Sequence, residues 1–306
     1  MSDQAPISFV IITYNRPADM LALCQNITTL DQANSLLREI IIVNNQSTVD
    51  YSAVETFIQS QPNFPFRYII APENLGVARG RNFALQFSTA PYIIMLDDDA
   101  EMGNADCLVR LLEVFEQNSE RPTAIVSFKV LYHSTGAIQE NALPHKNFAA
   151  YKDKSFFETY FYAGGAHAIK RSVLAETGNY PEDFFYGMEE YDLSYRILNK
   201  GYQIVYSDQI IMLHKESPEG RTPTWQKLQM MWVNKSKVAW RYLPTVYFYT
   251  TAFLWSLQYL KISKFYLPGF VQGWRKIAAI PAAESRQTIN AKALAYLHQL
   301  KARLTY

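Results

Sequence analysis

The chain has 306 residues, of which 49% are hydrophobic and 19% are charged. This apolar content can bury a core, so it excludes bulk disorder, and the length suits one large domain or two modest ones. The formal net charge is only +1, from 29 basic and 28 acidic residues, so no nucleic acid is expected as a partner. The two cysteines, Cys24 and Cys107, are too few for a disulfide framework.

The first hundred residues alternate between apolar runs and segments with helical spacing. Predicted strands cover 7–12, 39–43, 67–70 and 92–96, and predicted helices cover 20–30, 54–60 and 77–88. This order predicts an α/β fold with a Rossmann-like, mostly parallel sheet flanked by helices. Polar loops follow three of the strands, at 13–16, 44–48 and 97–99. In such sheets ligands bind beyond the carboxyl ends of the strands, so these loops are expected to form one site.

The second half of the chain has weaker patterns. We expect strands at 124–131, 203–206 and 210–213 and a helix at 189–200. Residues 139–157 are predicted to be loop with edge structure. Residues in the stretch 132–165 are expected to set the specificity of the pocket, but the sequence pattern does not show which ones. A glycine pair, Gly164 and Gly165, indicates close backbone approach. No P-loop and no GxGxxG motif is present, which disfavours kinases and dinucleotide dehydrogenases.

Three adjacent carboxylates, Asp97, Asp98 and Asp99, come directly after a predicted strand. Adjacent carboxylates repel one another, so one interpretation is a solvated turn or a helix cap. At the end of a central strand, a divalent cation would offset that repulsion. Oxygen ligands together with substrate phosphates suit Mg²⁺ or Mn²⁺, and we therefore predict a metal and phosphate site here.

Other candidate residues also have two interpretations. Glu189, Glu190 and Asp192 open a helix, where acids favour the helix dipole or where one Glu serves as a general base. His214 ends a strand and is either a satisfied structural histidine or a metal or phosphate ligand. Arg81, near a helix start, is either solvated or a diphosphate contact.

These motifs occur together in an order that resembles family 2 glycosyltransferases of the type A nucleotide-sugar fold, above all bacterial, rhamnosyltransferase-like enzymes of surface polysaccharides. The resemblance covers roughly residues 5–240. The motifs that carry it are at 13–17, 43–48, 74–82, 96–99, 164–166 and 189–193, with Arg196, Gly201, Tyr202 and His214.

The resemblance implies roles for individual residues. A group of nucleotide and substrate contacts comprises Thr13, Tyr14, Arg16, Asn44, Asn74, Gly76, Arg81, Asp97, Asp98, Glu189 and Asp192. Asp99 and His214 are implied metal ligands, and Asp97 contacts the metal or the ribose. Glu190 takes the position of the family's catalytic base. Asn44 stands where the family often has an Asp that pairs with the pyrimidine base, which is a departure from the pattern.

The implied reaction is an inverting, metal-dependent transfer from a UDP- or dTDP-sugar donor to an acceptor hydroxyl. The acceptor is expected to be a saccharide or a lipid-linked saccharide. Two alternatives stay open: a non-catalytic nucleotide-sugar-binding subunit, and a sugar-1-phosphate nucleotidyltransferase. The nucleotidyltransferase alternative is disfavoured by the first loop, because the glycine-rich signature of those enzymes is missing from residues 13–17.

We predict a catalytic domain at 1–223 and a helical, aromatic and basic extension at 224–306. From residue 241 onwards there are nine lysines or arginines and one acid, and 242–260 carries no charge. That segment is long enough to approach a bilayer span, but tyrosines and threonines dilute it. The alternatives are a helix packed on the catalytic domain or in a homo-oligomer, and an interfacial helix at the membrane. No secretory leader is evident, so we expect a cytoplasmic protein, peripheral to the inner face of the membrane if the last alternative holds.

Overall fold

A computed structural model describes residues 5–216 and 224–305. The predicted domain boundary at 223–224 therefore borders residues that lie outside the described ranges. Within those ranges the strands are β1 (Ile7–Thr13), β2 (Leu37–Asn44), β3 (Phe66–Ile70), β4 (Tyr92–Asp97), β5 (Ala100–Met102), β6 (Thr123–Tyr132), β7 (Phe156–Thr159), β8 (Ala166–Lys170) and β9 (Gln203–His214).

The helices alternate with these strands and then dominate the carboxyl-terminal part. They are α1 (Pro17–Thr28), α2 (Ala33–Leu36), α3 (Ser52–Gln59), α4 (Gly76–Leu85), α5 (Cys107–Glu116), α6 (Phe148–Tyr151), α7 (Arg171–Thr177), α8 (Glu189–Asn199), α9 (Thr224–Tyr242), α10 (Thr245–Ile262), α11 (Leu267–Ala283) and α12 (Ala291–Gln299), with a 3₁₀ turn at Glu140–Ala142. The predicted α/β fold is thus confirmed.

The strands form a single sheet in the order β3-β2-β1-β4-β8-β6-β9-β5, and β7 pairs with β9. Strands β3, β2, β1 and β4 are parallel, as the βαβ pattern predicts. Strand β8 is antiparallel to both β4 and β6, so the second half of the sheet is mixed. The separate strands predicted at 203–206 and 210–213 are one strand, β9, with an irregular register against β6 between Phe128 and Lys129.

Both faces of the central strands are buried because alternate side chains enter two different cores. Ile7, Phe9 and Ile11 of β1 point into one core, which α1 and α5 cover. Val10 points into the other core, which α4 and α8 cover. This double burial explains the near-continuous apolar runs in the sequence.

The carboxyl-terminal helices share the second core rather than forming one of their own. Trp232 of α9 is fully buried, contacts the rings of Tyr259, Phe270 and Trp274, and donates a hydrogen bond from Nε1 to the Ala252 carbonyl at 2.9 Å. No helix in residues 5–216 or 224–305 combines the length and hydropathy needed to cross a bilayer.

Helix α10 has two apolar faces. One face packs inward through Phe248, Ala252 and Tyr259. The other face carries Val246, Tyr249, Phe253 and Leu257, which are between 49 and 63% exposed. The helix therefore packs on the rest of the chain and also presents apolar side chains to solvent.

Candidate active site

A cleft of about 750 Å³ opens at the carboxyl ends of β1 and β4. Nine of the predicted site residues line it: Tyr14, Arg16, Asn74, Gly76, Arg81, Asp97, Asp98, Asp99 and His214. The polar loops that follow separate strands therefore do converge on one cavity, as parallel strand order requires.

The pairing of β5 with β9 brings His214 to the acidic triplet. Ala100 pairs with His214 across these antiparallel strands, and the Lys215 amide donates to the Asp99 carbonyl at 2.9 Å. The His214 Nε2 consequently lies 3.3 Å from Asp99 Oδ1. A residue more than one hundred positions away in sequence thus joins the loop that follows β4.

Asp97, Asp99 and His214 offer ligand atoms that all lie within 4.8 Å of one another. Two carboxylates and an imidazole suit Mn²⁺ or Mg²⁺ better than they suit soft metals, which prefer sulfur ligands. The His214 Nδ1 is 2.8 Å from Gln139 Oε1, which fixes the ring and leaves Nε2 facing the carboxylates. Asp97 lies against the backbone of Gly165, where a Cβ atom would come within 2.1 Å of its carboxylate.

Arg16 compensates the negative charge of Asp98 and Asp99. Its Nη1 lies 2.8 Å from Asp98 Oδ1 and 3.0 Å from Asp99 Oδ2, and all three side chains are largely buried. Burial raises the pKa of Asp98 to about 6, although Arg16 opposes that rise. The Asp98 carboxylate also accepts a hydrogen bond from the Tyr14 amide, so it orders the first loop.

Arg81 of α4 connects the acidic triplet to the start of α8. Its guanidinium is 3.5 Å from Asp97 Oδ1 and 2.9 Å from Glu189 Oε1. Glu189 is buried, and in the described residues its Oε2 has no hydrogen-bond partner. The chain of contacts from Asp97 through Arg81 therefore reaches the residue next to Glu190.

Glu190 is half-buried in the first turn of α8 and is not a lining residue of the cleft itself. Burial, and then the charge of Glu189, raise the pKa of its carboxyl group to about 8. Arg81 and Lys235 oppose that rise. A carboxyl group with this pKa titrates slightly above neutral pH, and its ionised form can then accept a proton.

The Asn74–Gly76 turn is a close packing point. Gly76 has a φ of +71°, and a Cβ there would lie 2.6 Å from the Phe185 carbonyl oxygen. Asn45 accepts a hydrogen bond from the Leu75 amide and donates to Asn74 Oδ1. These contacts fix the start of α4 beside the cleft.

Four predicted contact residues, Thr13, Asn44, Glu189 and Asp192, lie outside the cleft lining, within the described ranges. Thr13 is fully buried, with its hydroxyl 2.6 Å from the Tyr51 hydroxyl, and Asn44 donates to the Tyr68 hydroxyl at 2.7 Å. Asp192 binds Arg196, Arg241 and the Tyr242 hydroxyl. Their predicted roles in binding substrate remain predictions.

Several lining residues were not predicted: Asn45, Gln139, Asn141, Phe185, Tyr186, Glu216 and Lys227. Gln139 and Asn141 lie within residues 132–165, where the sequence pattern did not identify the pocket residues. Asn45 is adjacent to the predicted Asn44, so the polar loop signal located it to within one residue. Lys227 comes from α9, and no local motif links that helix to the site.

The family model described as "Glycosyl transferase family 2" matches residues 8–178. An uncharacterized protein of Haemophilus influenzae is 26% identical over 57% of this chain and 92% of its own length. An uncharacterized glycosyltransferase of the same organism is 30% identical, but the match covers 37% of this chain and about a third, 35%, of that protein.

The solved structures that share the fold include a mannosyltransferase and S. aureus TarS. A Pyrobaculum calidifontis mannosyltransferase in complex with GDP-Man and Mn²⁺ is 19% identical, with a TM-score of 0.58, over 98% of this chain and 80% of that one. S. aureus TarS 1-349 in complex with UDP-GlcNAc is 12% identical, with a TM-score of 0.63, over 95% and 83%. Because the family model covers more than half of the chain, the chain belongs to glycosyl transferase family 2.

Proposed function

We propose that this protein is an inverting, divalent-metal-dependent glycosyltransferase that uses a UDP- or dTDP-sugar and acts in bacterial surface polysaccharide synthesis. The observation that carries the proposal is the convergence of acidic side chains from separate elements on one cleft. Asp97 and Asp99 meet His214 at the cleft, and Arg81 links Asp97 to the helix turn that bears Glu190. The Mn²⁺ in the mannosyltransferase complex and the nucleotide sugars in both neighbours support it.

The donor is assigned to the cleft because its volume and lining suit a nucleotide sugar. Asn45 and Asn74 offer amide groups, and Tyr14 offers a ring, next to the apolar floor of Val10 and Ile12. Among the described residues, Arg16 and Arg81 pair with these acids and would face the diphosphate.

Asp97, Asp99 and His214 would hold the metal, which when bound offsets negative charge on the leaving diphosphate. Glu190 would accept the proton of the acceptor hydroxyl while that oxygen bonds to the anomeric carbon. The bond from that carbon to the diphosphate oxygen breaks at the same time, and a single displacement inverts the configuration. Arg16 and Arg81 offset the charge of the departing group.

Product analysis tests this assignment against both alternatives. The protein is incubated with Mn²⁺ or Mg²⁺, a panel of nucleotide sugars and saccharide acceptors, and separately with added diphosphate. Release of nucleoside diphosphate with an inverted product supports transfer. Formation of nucleoside triphosphate would indicate a nucleotidyltransferase, and donor binding without turnover on any acceptor would indicate a binding subunit.

We also propose that the exposed face of α10 contacts the membrane surface, where a lipid-linked acceptor would be located. Phe253 and Leu257 are about half exposed, and Phe265, beyond the helix, is 70% exposed. The exposed Lys261 and Lys264 lie beside this apolar face and suit anionic headgroups.

Vesicle flotation tests the membrane proposal. The native protein should float with vesicles of anionic phospholipid, and the double variant Phe253→Glu with Leu257→Glu should not. Val49→Glu is the control, because Val49 is 44% exposed but lies far along the chain from α10. Equal flotation of all three proteins would overturn the proposal, and a native dimer that the double variant dissociates would favour a homo-oligomer interface.

A further inference from the structure

The segment that leads into α8 carries an aromatic residue whose ring is open to the cleft. Phe185 lines the cleft and is 45% exposed, whereas the preceding Phe184 is fully buried in the second core. Ligand sites are concave and lined by apolar and aromatic side chains, which a bound ligand covers. Phe185 is therefore placed to contact a ligand rather than to fill the core.

The start of α4 holds this ring in position. The Val77 amide donates to the Phe185 carbonyl at 2.9 Å. Gly76 lies directly against the ring, since a Cβ there would come within 2.7 Å of Phe185 Cδ2. The Gly76 amide in turn donates to Asn74 Oδ1 at 3.0 Å. A larger residue at position 76 would push the ring away from its place in the cleft wall.

Helix α9 fixes the other side of the same segment. The Asn234 side chain donates to the carbonyls of Tyr186 and Gly187, at 3.1 and 3.0 Å. Lys227, also of α9, lines the cleft with its Nζ 5.1 Å from the centroid of the Tyr186 ring. The ring of Phe185 is thus presented on a segment that two helices hold, and such a preorganised surface loses little conformational freedom when a ligand binds.

The position of this ring favours contact with the acceptor over contact with the donor. Residues 185–188 lead directly into α8, which carries Glu190 in its first turn. In a single displacement the acceptor hydroxyl attacks from the face opposite the diphosphate, so the acceptor lies towards the base and away from the metal ligands. The ring of Tyr14, on the loop after β1, is available to the nucleotide instead.

A saccharide needs the two kinds of contact that this wall offers. One face of a pyranose ring is formed largely by C–H groups, which pack on the electron-rich face of an aromatic ring. Its hydroxyl groups need hydrogen-bond partners, and the side chains of Asn141 and Lys227 line the same cleft. We propose that Phe185 is the stacking platform for the acceptor saccharide and selects acceptors that have an apolar ring face. The inference rests on the proposed transfer reaction.

Transfer kinetics test the platform, with the methyl glycosides of glucose, galactose, N-acetylglucosamine and rhamnose as acceptors. With the best of these acceptors, Phe185→Ala should raise the acceptor KM about tenfold, because it removes the apolar surface that the sugar covers. The Kd for UDP with Mn²⁺ should stay within about twofold. Phe185→Tyr keeps the ring and should keep the acceptor KM close to the native value. Phe156→Ala is the matched control, because Phe156 is 43% exposed but lies on β7, outside the cleft lining.

An unchanged acceptor KM in a folded Phe185→Ala protein would overturn the proposal. Equal weakening of UDP and acceptor would also overturn it, because the ring would then serve the donor. If thermal melts show that Phe185→Ala does not fold, Phe185→Leu takes its place. That variant keeps an apolar contact with Gly76 but has no flat face, so a native acceptor KM in Phe185→Leu would refute the stacking role.

Saturation-transfer NMR of the same methyl glycosides, with UDP and Mn²⁺ present, separates this inference from the proposed function. A saccharide signal in the native protein that is lost in Phe185→Ala supports the platform, whatever the turnover. Signals of equal strength in the two proteins, or no signal in the native protein, would refute the platform. A native protein that binds the saccharide through Phe185 but transfers no sugar would refute the transfer reaction alone.

Discussion

At the residue scale, the carboxyl group of Glu190 sets an expectation for stability against pH. Its folded pKa lies above its unfolded value because burial and Glu189 disfavour the charged form. The stabilisation from the protonated group is present below its unfolded pKa, about 4.3, and is lost as pH rises through about 8. Glu190→Gln avoids that loss.

Thermal melts therefore should show Glu190→Gln unfolding at a higher temperature than the native protein at pH 8, by about 2 °C or more. The difference should shrink at pH 5. Its activity should fall about 10²- to 10⁴-fold, as expected for loss of a general base. A difference that grew towards low pH would contradict the raised pKa.

Gly165 gives a second prediction at this scale. An added methyl group would overlap the Asp97 carboxylate, with the Cβ 2.1 Å from Oδ2. Gly165→Ala should therefore displace a predicted metal ligand and raise the Mn²⁺ concentration for half-maximal activity about tenfold or more. Gly164→Ala is the matched control, because its Cβ would meet its nearest neighbours at 3.5 Å. Equal metal requirements in the two variants would remove Asp97 from the site.

At the element scale, local patterns in the sequence predicted the elements, whereas contacts between distant elements either came from the family resemblance, as for His214 and Asp99, or were not predicted. The apolar runs located β1, β2, β3 and β4, and the helix periodicity located α8, because each pattern is written within one element. The meeting of His214 with Asp99 depends on the pairing of β5 with β9, which no local pattern encodes. Gln139 reaches the site from an irregular segment, where neither the helix nor the strand periodicity of apolar residues applies.

Asp192 illustrates how a motif residue can serve an element instead of a ligand. Its carboxylate is 2% exposed and binds Arg196 of α8 and Arg241 of α9. Arg196 also donates to the carbonyls of Thr177, Gly178 and Asn179, and Arg241 also pairs with Asp183 and Glu284. Asp192→Ala therefore removes charged hydrogen bonds without isolating either guanidinium group, and should cost about 1–3 kcal/mol of unfolding free energy. Nucleotide-sugar affinity of the folded protein should stay within about twofold. A large loss of affinity without loss of stability, in denaturation and binding assays, would instead support its predicted role as a substrate contact.

At the scale of the whole molecule, the carboxyl-terminal helices are joined to the catalytic sheet in two ways. They share its second core, through Trp232 and Tyr242, and they hold the turn before α8 through Asn234. We propose that the extension at 224–306 is a structural part of the catalytic unit as well as its membrane-facing surface. Composition identified this segment as basic and aromatic, but burial of one face and exposure of the other follow only from packing.

The central claim is that one divalent ion, held by Asp97, Asp99 and His214, binds the diphosphate of a nucleotide sugar. Isothermal titration of UDP with and without Mn²⁺, in the native protein and in Asp99→Asn, tests it most directly. We expect the metal to tighten UDP binding at least about tenfold in the native protein and to have little effect in the variant. UDP affinity that is indifferent to Mn²⁺, or an equal metal effect in Asp99→Asn, would contradict the account.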